Sequence, residues 1–275
     1  MDAVLNLTRR LGQPTLSWFG RMSYLCGVIA GVTWLAFRPS TWTRISRDVM
    51  SRQLLFTMVD SIPVTIRIGA AAGVLLIVQT ALWTESFGST MQSVWPVIVR
   101  VTLRELGPLI ASLVVIGRSA VAIATELSTM RVRGETDVIE SQGIDPMAYI
   151  VLPRVIATTV STFVLGVVVV AAMFVTGYAV GLLVNVINTG PGPYFEAISD
   201  AITLADVAFF LPKTLIAGAF IGAICCIEGL FIGTASTEIP RVASRAGVRS
   251  LSSVFLISAI LSLLIYGRVL VFEVL

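Results

Sequence analysis

The sequence predicts an all-α integral membrane protein, with an N-terminal interfacial helix followed by five transmembrane helices. Three observations lead there. The 275 residues are 56% hydrophobic and only 13% charged, with a mean hydropathy of +0.92, whereas soluble domains carry about 25% charged residues. Five continuous apolar runs are long enough to cross a bilayer, which takes about 20 residues per helix. Basic residues also alternate between the loops that join those runs.

The same composition excludes other classes. Nineteen basic residues nearly balance sixteen acidic ones, with no basic run, so nothing points to nucleic acid. No histidine is present, which removes imidazole bases, Ser-His-Asp catalysis and histidine metal sites. Cys26, Cys225 and Cys226 fall in apolar stretches and read as reduced packing residues rather than metal ligands.

The first element, around 26–37, is a short apolar segment flanked by Arg21 and Arg38. Trp18, Phe19, Tyr24, Trp34, Phe37 and Trp42 crowd both sides. Rings at headgroup depth fit a helix lying in the interface; a short or tilted sixth span is the alternative. No small-residue cleavage site follows it, which argues against a signal peptide. Residues 1–55 thus form an N-terminal amphipathic region, and 56–275 the five-span body. The spans are expected at about 62–83, 97–129, 150–187, 207–235 and 250–272. They are too long and too continuous for barrel strands.

Orientation follows from the loops. Arg9, Arg10, Arg21, Arg38, Arg44, Arg47 and Arg52 precede the first span. Arg131 and Arg133 lie in the second loop, and Arg241, Arg245 and Arg249 in the fourth. The loops at 84–96 and 188–206 carry no Lys or Arg. The N-terminus is therefore expected in the cytoplasm and the C-terminus outside.

Charges inside spans are costly, about 2.5–3.5 kcal/mol each on the mildest scale, so they face protein or a wet cavity. Glu105 and Lys213, the only lysine, sit at matching depths roughly 10–12 Å from the outer end. Arg118 and Glu228 sit at matching depths from the inner end. Two ion pairs are expected, either holding the bundle together or lining a cavity for a charged head and a greasy body. Gly69/Gly73, Gly177/Gly181, Gly218/Gly222 and Gly229/Gly233 are small residues four apart, a spacing that lets helices approach closely.

Between spans two and three, residues 133–142 read as a short amphipathic helix carrying Arg133, Glu135, Asp137 and Glu140. Gly143 ends it, and Asp145-Pro146 starts the next helix. A charged helix with no core of its own is either a docking element for a soluble partner or a solvated connector. The lone lysine stands in Leu-Pro-Lys-Thr, so no nucleotide-binding loop exists. If work is done against a gradient, the energy must come from another subunit or from ion coupling; the broken helices of ion-coupled carriers are not evident.

Arg104-Glu105-Leu106-Gly107-Pro108, Gly117-Arg118, Ala124-Thr125-Glu126-Leu127, Thr129-Met130-Arg131, Gly143-Ile144-Asp145-Pro146 and Pro153-Arg154 resemble, in order and spacing, the MlaE/YrbE permeases. These are the membrane subunits of ABC transporters that work with MCE proteins. The resemblance implies a homodimer, an N-terminal elbow helix and two cytoplasmic ATPase subunits. ATP and Mg would be bound by the ATPases, and this chain itself would carry no cofactor. The ATPases would grip the 133–142 coupling helix. The resemblance also implies an MCE ring on the periplasmic face, room for a small cytoplasmic accessory subunit, and a phospholipid or related lipid as cargo in a bacterial inner membrane. Gln79, Arg104, Glu105 and Lys213 match the family's polar cavity positions. Two departures stand out: Gly117-Arg118-Ser119-Ala120 replaces the common Gly-Arg-x-Gly, and Arg133-Gly134-Glu135-Thr136 replaces the usual Thr-Glu-Gln. The alternative readings are an ion-coupled carrier and a membrane scaffold whose charges only set helix pairing.

Overall fold

The computed structural model describes residues 23–38, 42, 44–87, 91–184, 187, 189–233 and 235–273. Among them there is no strand, and five helical stretches are long and apolar enough to span a membrane. These stretches are Ser46–Thr80, Trp95–Val132, Met147–Leu183, Leu204–Leu230 and Ser236–Leu264. The arginines before residue 22, with Trp18 and Phe19, lie outside the described residues.

Helix α1 (Ser23–Ala36) is apolar but shorter than the spans. Val28 and Val32, one turn apart, are buried in the main core, while Tyr24, Trp34 and Phe37 are exposed. Tyr24 packs edge-on against Phe231 at 5.9 Å, and the Arg38 guanidinium sits 4.1 Å above the Trp34 ring. One face thus binds protein and the other is free for the headgroup zone.

The first span is longer than expected because α2 (Arg44–Thr57) feeds through a single 3-10 turn, Val59–Ser61, into α3 (Ile62–Phe87). The second span is segmented. It runs as α4 (Met91–Val101), a π-helical stretch Thr102–Leu106, α5 (Gly107–Val115), a second π stretch Ile116–Ala120, and α6 (Val121–Val132). Helix α7 (Glu135–Ser141) bridges to the third span, a π stretch Met147–Val151 followed by α8 (Leu152–Leu183). Helix α9 (Pro191–Ala201) occupies what the sequence suggested was a plain loop. Helices α10 (Leu204–Leu230) and α11 (Ile239–Glu273) complete the chain. Because α11 begins at Ile239, Arg241, Arg245 and Arg249 are helical residues, not loop residues as the sequence suggested.

Helix α8 is the hub, packing against α2, α3, α5 and α10. Leu127, Leu152, Leu165, Val169 and Ile221 are fully buried around it. Its neighbours approach closely at glycines. A Cβ on Gly73 would sit 2.8 Å from the Met173 Cα, and one on Gly222 would sit 2.9 Å from the Val155 Cα. Gly229 faces Leu127 and Ala124 of α6 just as tightly. The glycine spacing does not hold throughout: Gly177 has 3.7 Å of clearance, and Gly233 lies beyond the end of α10.

A second, smaller core forms at the α9 end. Tyr194 of α9 is buried among Ile77, Val99, Phe174 and Ile187, and its hydroxyl donates to the Phe174 carbonyl at 3.1 Å. Burial, and secondarily the nearby Tyr178, push the Tyr194 phenol from 10.0 up to about 12. A pKa raised by folding means its contribution to stability is complete below pH 10.0 and is lost on the way to about 12. We therefore expect one of the five tyrosines to ionise late in a tyrosinate absorbance titration. That late phase should vanish in Tyr194→Phe, which should also lose about 1 kcal/mol with its hydrogen bond.

Candidate functional site

Charged and polar side chains meet where spans two, four and five converge towards the α9 end. The backbone of span two makes this possible. Pro108 has no N–H to offer the carbonyl of Arg104, four residues earlier. That carbonyl instead accepts from the Lys213 ammonium at 2.8 Å. The same ammonium pairs with Glu105 Oε1 at 2.7 Å and donates to Ser262 Oγ at 2.8 Å. Ser262 Oγ in turn lies 2.8 Å from both Glu105 Oε1 and the Ser258 carbonyl. An ammonium has three donors, and all three are used, which is how Lys213 can be only 3% exposed.

Beside it, Arg104 Nε reaches Asp206 Oδ1 at 2.5 Å. Asp206 is fully buried because Thr203 completes its shell, donating through its N–H at 2.8 Å and its hydroxyl at 2.6 Å. This is the capping box that starts α10. The Arg104 guanidinium also lies 4.6 Å over the Phe209 ring. Two cations thus face two carboxylates, so the cluster is neutral as a unit. Arg104 and Glu105 are its partly exposed members, with side chains 14% and 31% exposed.

The structure therefore brings Arg104, Glu105 and Lys213 together. Gln79 is exposed on α3 and makes no hydrogen bond to this cluster among the described residues. Two members, Asp206 and Ser262, are not evident from the sequence. Asp206 reads as a loop acid when α10 is expected to start near 207, and a lone serine in an apolar span carries no sequence signal.

The expected inner pair of Arg118 and Glu228 is not formed. Arg118 lies 3.8 Å from Asp60 of the 3-10 turn. Glu228 is taken by Arg249, and lies 3.9 Å from Arg245. Counting residues gives depth along a helix but not the direction a side chain faces. Each π stretch adds a residue and turns the rest of the helix by about 100°, and Arg118 sits in one. A double-mutant cycle of Arg118→Ala with Glu228→Gln should therefore be additive to within about 0.5 kcal/mol by thermal unfolding in detergent.

At the α7 end, Arg154, only 6% exposed, pairs with Glu126 at 2.7 Å. The sequence held a usable signal for this pair: the two residues lie three and four residues in from the loop ends of their expected spans, at a similar depth of about 5 Å. Helix α7 is shorter than the expected 133–142. It begins after Gly134, whose φ of 75° is left-handed, and Arg133 closes α6 instead, lying 3.8 Å from Glu135. Its C-terminus is as expected. Gly143 (φ 75°) donates to the Glu140 carbonyl and Ile144 to that of Ile139, a Schellman motif. Asp145 Oδ1 then accepts from the Met147 N–H at 2.9 Å. On α7, Thr136 is buried and Asp137 is held by Arg131, while Val138 and Glu140 are exposed. Glu140 has no ion-pair partner among the described residues.

Comparison with known proteins agrees with this architecture. The family model described as "Permease MlaE" matches residues 50–264. A probable ABC transporter permease protein of Rickettsia typhi is 29% identical over 90% of this chain and 93% of its own. One from Rickettsia conorii is 32% identical over 74% and 77%. The intermembrane phospholipid transport system permease protein MlaE of Haemophilus influenzae is 22% identical over 96% and 99%.

Proposed function

Since the chain belongs to the MlaE permease family and is a multi-pass ABC transporter permease, we propose that its cargo is phospholipid, passed between a bacterial inner membrane and a periplasmic MCE protein. The chain-long similarity to a phospholipid permease supports the cargo. In this reading two copies pair, and two ATPase subunits bind ATP and Mg on the cytoplasmic side. The gathering of arginines at the α7 end supports placing that end, and the N-terminus, in the cytoplasm.

The observation that carries the energetic half of the reading is α7. It presents Val138 and Glu140 outward from a helix whose other face is anchored in the bundle. Two residues apart, they lie on different sides of the short helix, and each offers a soluble partner its own contact, one apolar and one an uncompensated carboxylate. Nucleotide-driven closure of the ATPases would then move α7, and spans two and three with it. The polar cluster shapes the wall of the lipid path: Arg104 and Glu105 reach its surface, while Lys213, with no free donor, fastens spans two, four and five behind them. The apolar face of α11, with Phe255, Leu256, Ile260 and Leu263 exposed, meets lipid or the second copy.

The test is affinity purification of the detergent-solubilised protein with its native neighbours. A stoichiometric ATPase subunit is expected, and its consistent absence contradicts the proposal. Val138→Asp with Glu140→Arg should release that subunit while the bundle remains folded.

A further inference from the structure

Resting on that reading, we infer that Arg131 is the positioning residue that makes α7 a stiff lever on span two. Arg131 is in the last turn of α6. Between it and α7 the chain turns through Gly134, whose left-handed φ of 75° costs glycine nothing and makes this point a natural hinge. Arg131 spans that hinge. Its Nη1 donates to Thr136 Oγ1 at 3.0 Å and pairs with the Asp137 carboxylate, both in the first turn of α7. The backbone adds bonds in the same place: the Gly134 N–H donates to the Arg131 carbonyl at 3.1 Å, and the Gly134 carbonyl accepts from the Asp137 and Val138 N–H groups at 3.1 Å each.

The far end of α7 is fixed separately by the Schellman motif at Gly143 and the Asp145 cap, and the Glu126–Arg154 pair braces spans two and three below it. Among the described residues, the Arg131 clasp is therefore the tighter side-chain link on the span-two side of the lever, beside the more exposed Arg133–Glu135 pair at 3.8 Å. The charged groups facing it are Asp137 on α7 and, next in sequence, the Arg133–Glu135 pair.

The Arg131–Asp137 pair is 38% and 64% exposed, and pairs so wetted add little to overall stability. Its loss should leave the bundle folded and the outward Val138 and Glu140 in place for the ATPase, while the hinge at Gly134 becomes free to flex. Asp137, held within the chain, then serves stiffness rather than docking.

The experiment compares wild type, Arg131→Ala and Arg131→Lys in the full complex, reconstituted in phosphatidylethanolamine–phosphatidylglycerol vesicles with a fluorescent phosphatidylglycerol as probe. Two quantities are read: amide exchange across 135–141 and lipid moved per ATP hydrolysed. In Arg131→Ala, exchange should speed up several-fold and the ratio should fall by about fivefold or more, with ATPase recovery unchanged. Arg131→Lys keeps the charge but not the planar Nη1 group that makes both contacts, and should fall between. Unchanged exchange, or an unchanged ratio, overturns the inference. If wild type holds no ATPase and moves no lipid, the functional reading fails, and the exchange data alone decide whether the clasp exists.

Discussion

Lys213→Met is expected to be the most damaging single substitution in the polar cluster. It removes the three contacts that Lys213 makes to Glu105, the Arg104 carbonyl and Ser262. It also leaves the Glu105 carboxylate without a cation in an apolar setting. Breaking one side of a buried pair costs about 3–5 kcal/mol, much of it the isolated charge, and the 31% exposure of Glu105 puts this loss at the low end of that range. The loss should appear as a large drop in thermal stability of the detergent-solubilised protein. Adding Glu105→Gln removes that stranded charge, so the double variant should recover most of the loss. Transport should recover with stability, because every donor of Lys213 already serves the protein. If Glu105→Gln alone still moves lipid, a double variant that is stable but moves none would instead show that Lys213 meets the cargo.

Gly73→Ala is the second large effect. The new methyl would sit 2.8 Å from the Met173 Cα and 2.6 Å from Thr176 Oγ1. The nearest obstacle is the Met173 carbonyl oxygen of the α8 backbone, which cannot rotate aside, so α3 must move off α8. Overpacking of this kind costs about 1–3 kcal/mol and sometimes more. The control is Gly177→Ala, which belongs to the same small-residue pattern but has its nearest neighbour at 3.7 Å. It should leave unfolding temperature unchanged. Equal effects at the two glycines would refute the close-packing argument.

That contrast shows what the sequence made legible. Hydropathy located all five spans, since crossing a bilayer demands a long apolar run whatever the packing. Equal depth was enough to pair Glu105 with Lys213, because both flank the same interhelical gap. It failed for Arg118, whose direction depends on a π turn with no clear sequence signature, and it left Glu228 unassigned to the arginines of α11. Asp206 escapes notice because an N-cap acid and a loop acid look alike until the helix start is known. The small-residue spacing marked Gly73 and Gly177 equally, and only the crossing of α3 over α8 separates them. The turn residues were the most readable local signal: Gly143 and Asp145-Pro146 ended one helix and began the next as expected, each for a backbone reason.

We propose that this chain moves phospholipid only when an attached ATPase drives it through α7. The direct measurement places the purified chain in vesicles, alone and with its ATPase subunits, and follows a fluorescent phospholipid with and without ATP. Movement that requires both the ATPase and ATP, and that disappears with Val138→Asp and Glu140→Arg, is the predicted result. Equal movement by the chain alone, without ATP, would contradict it.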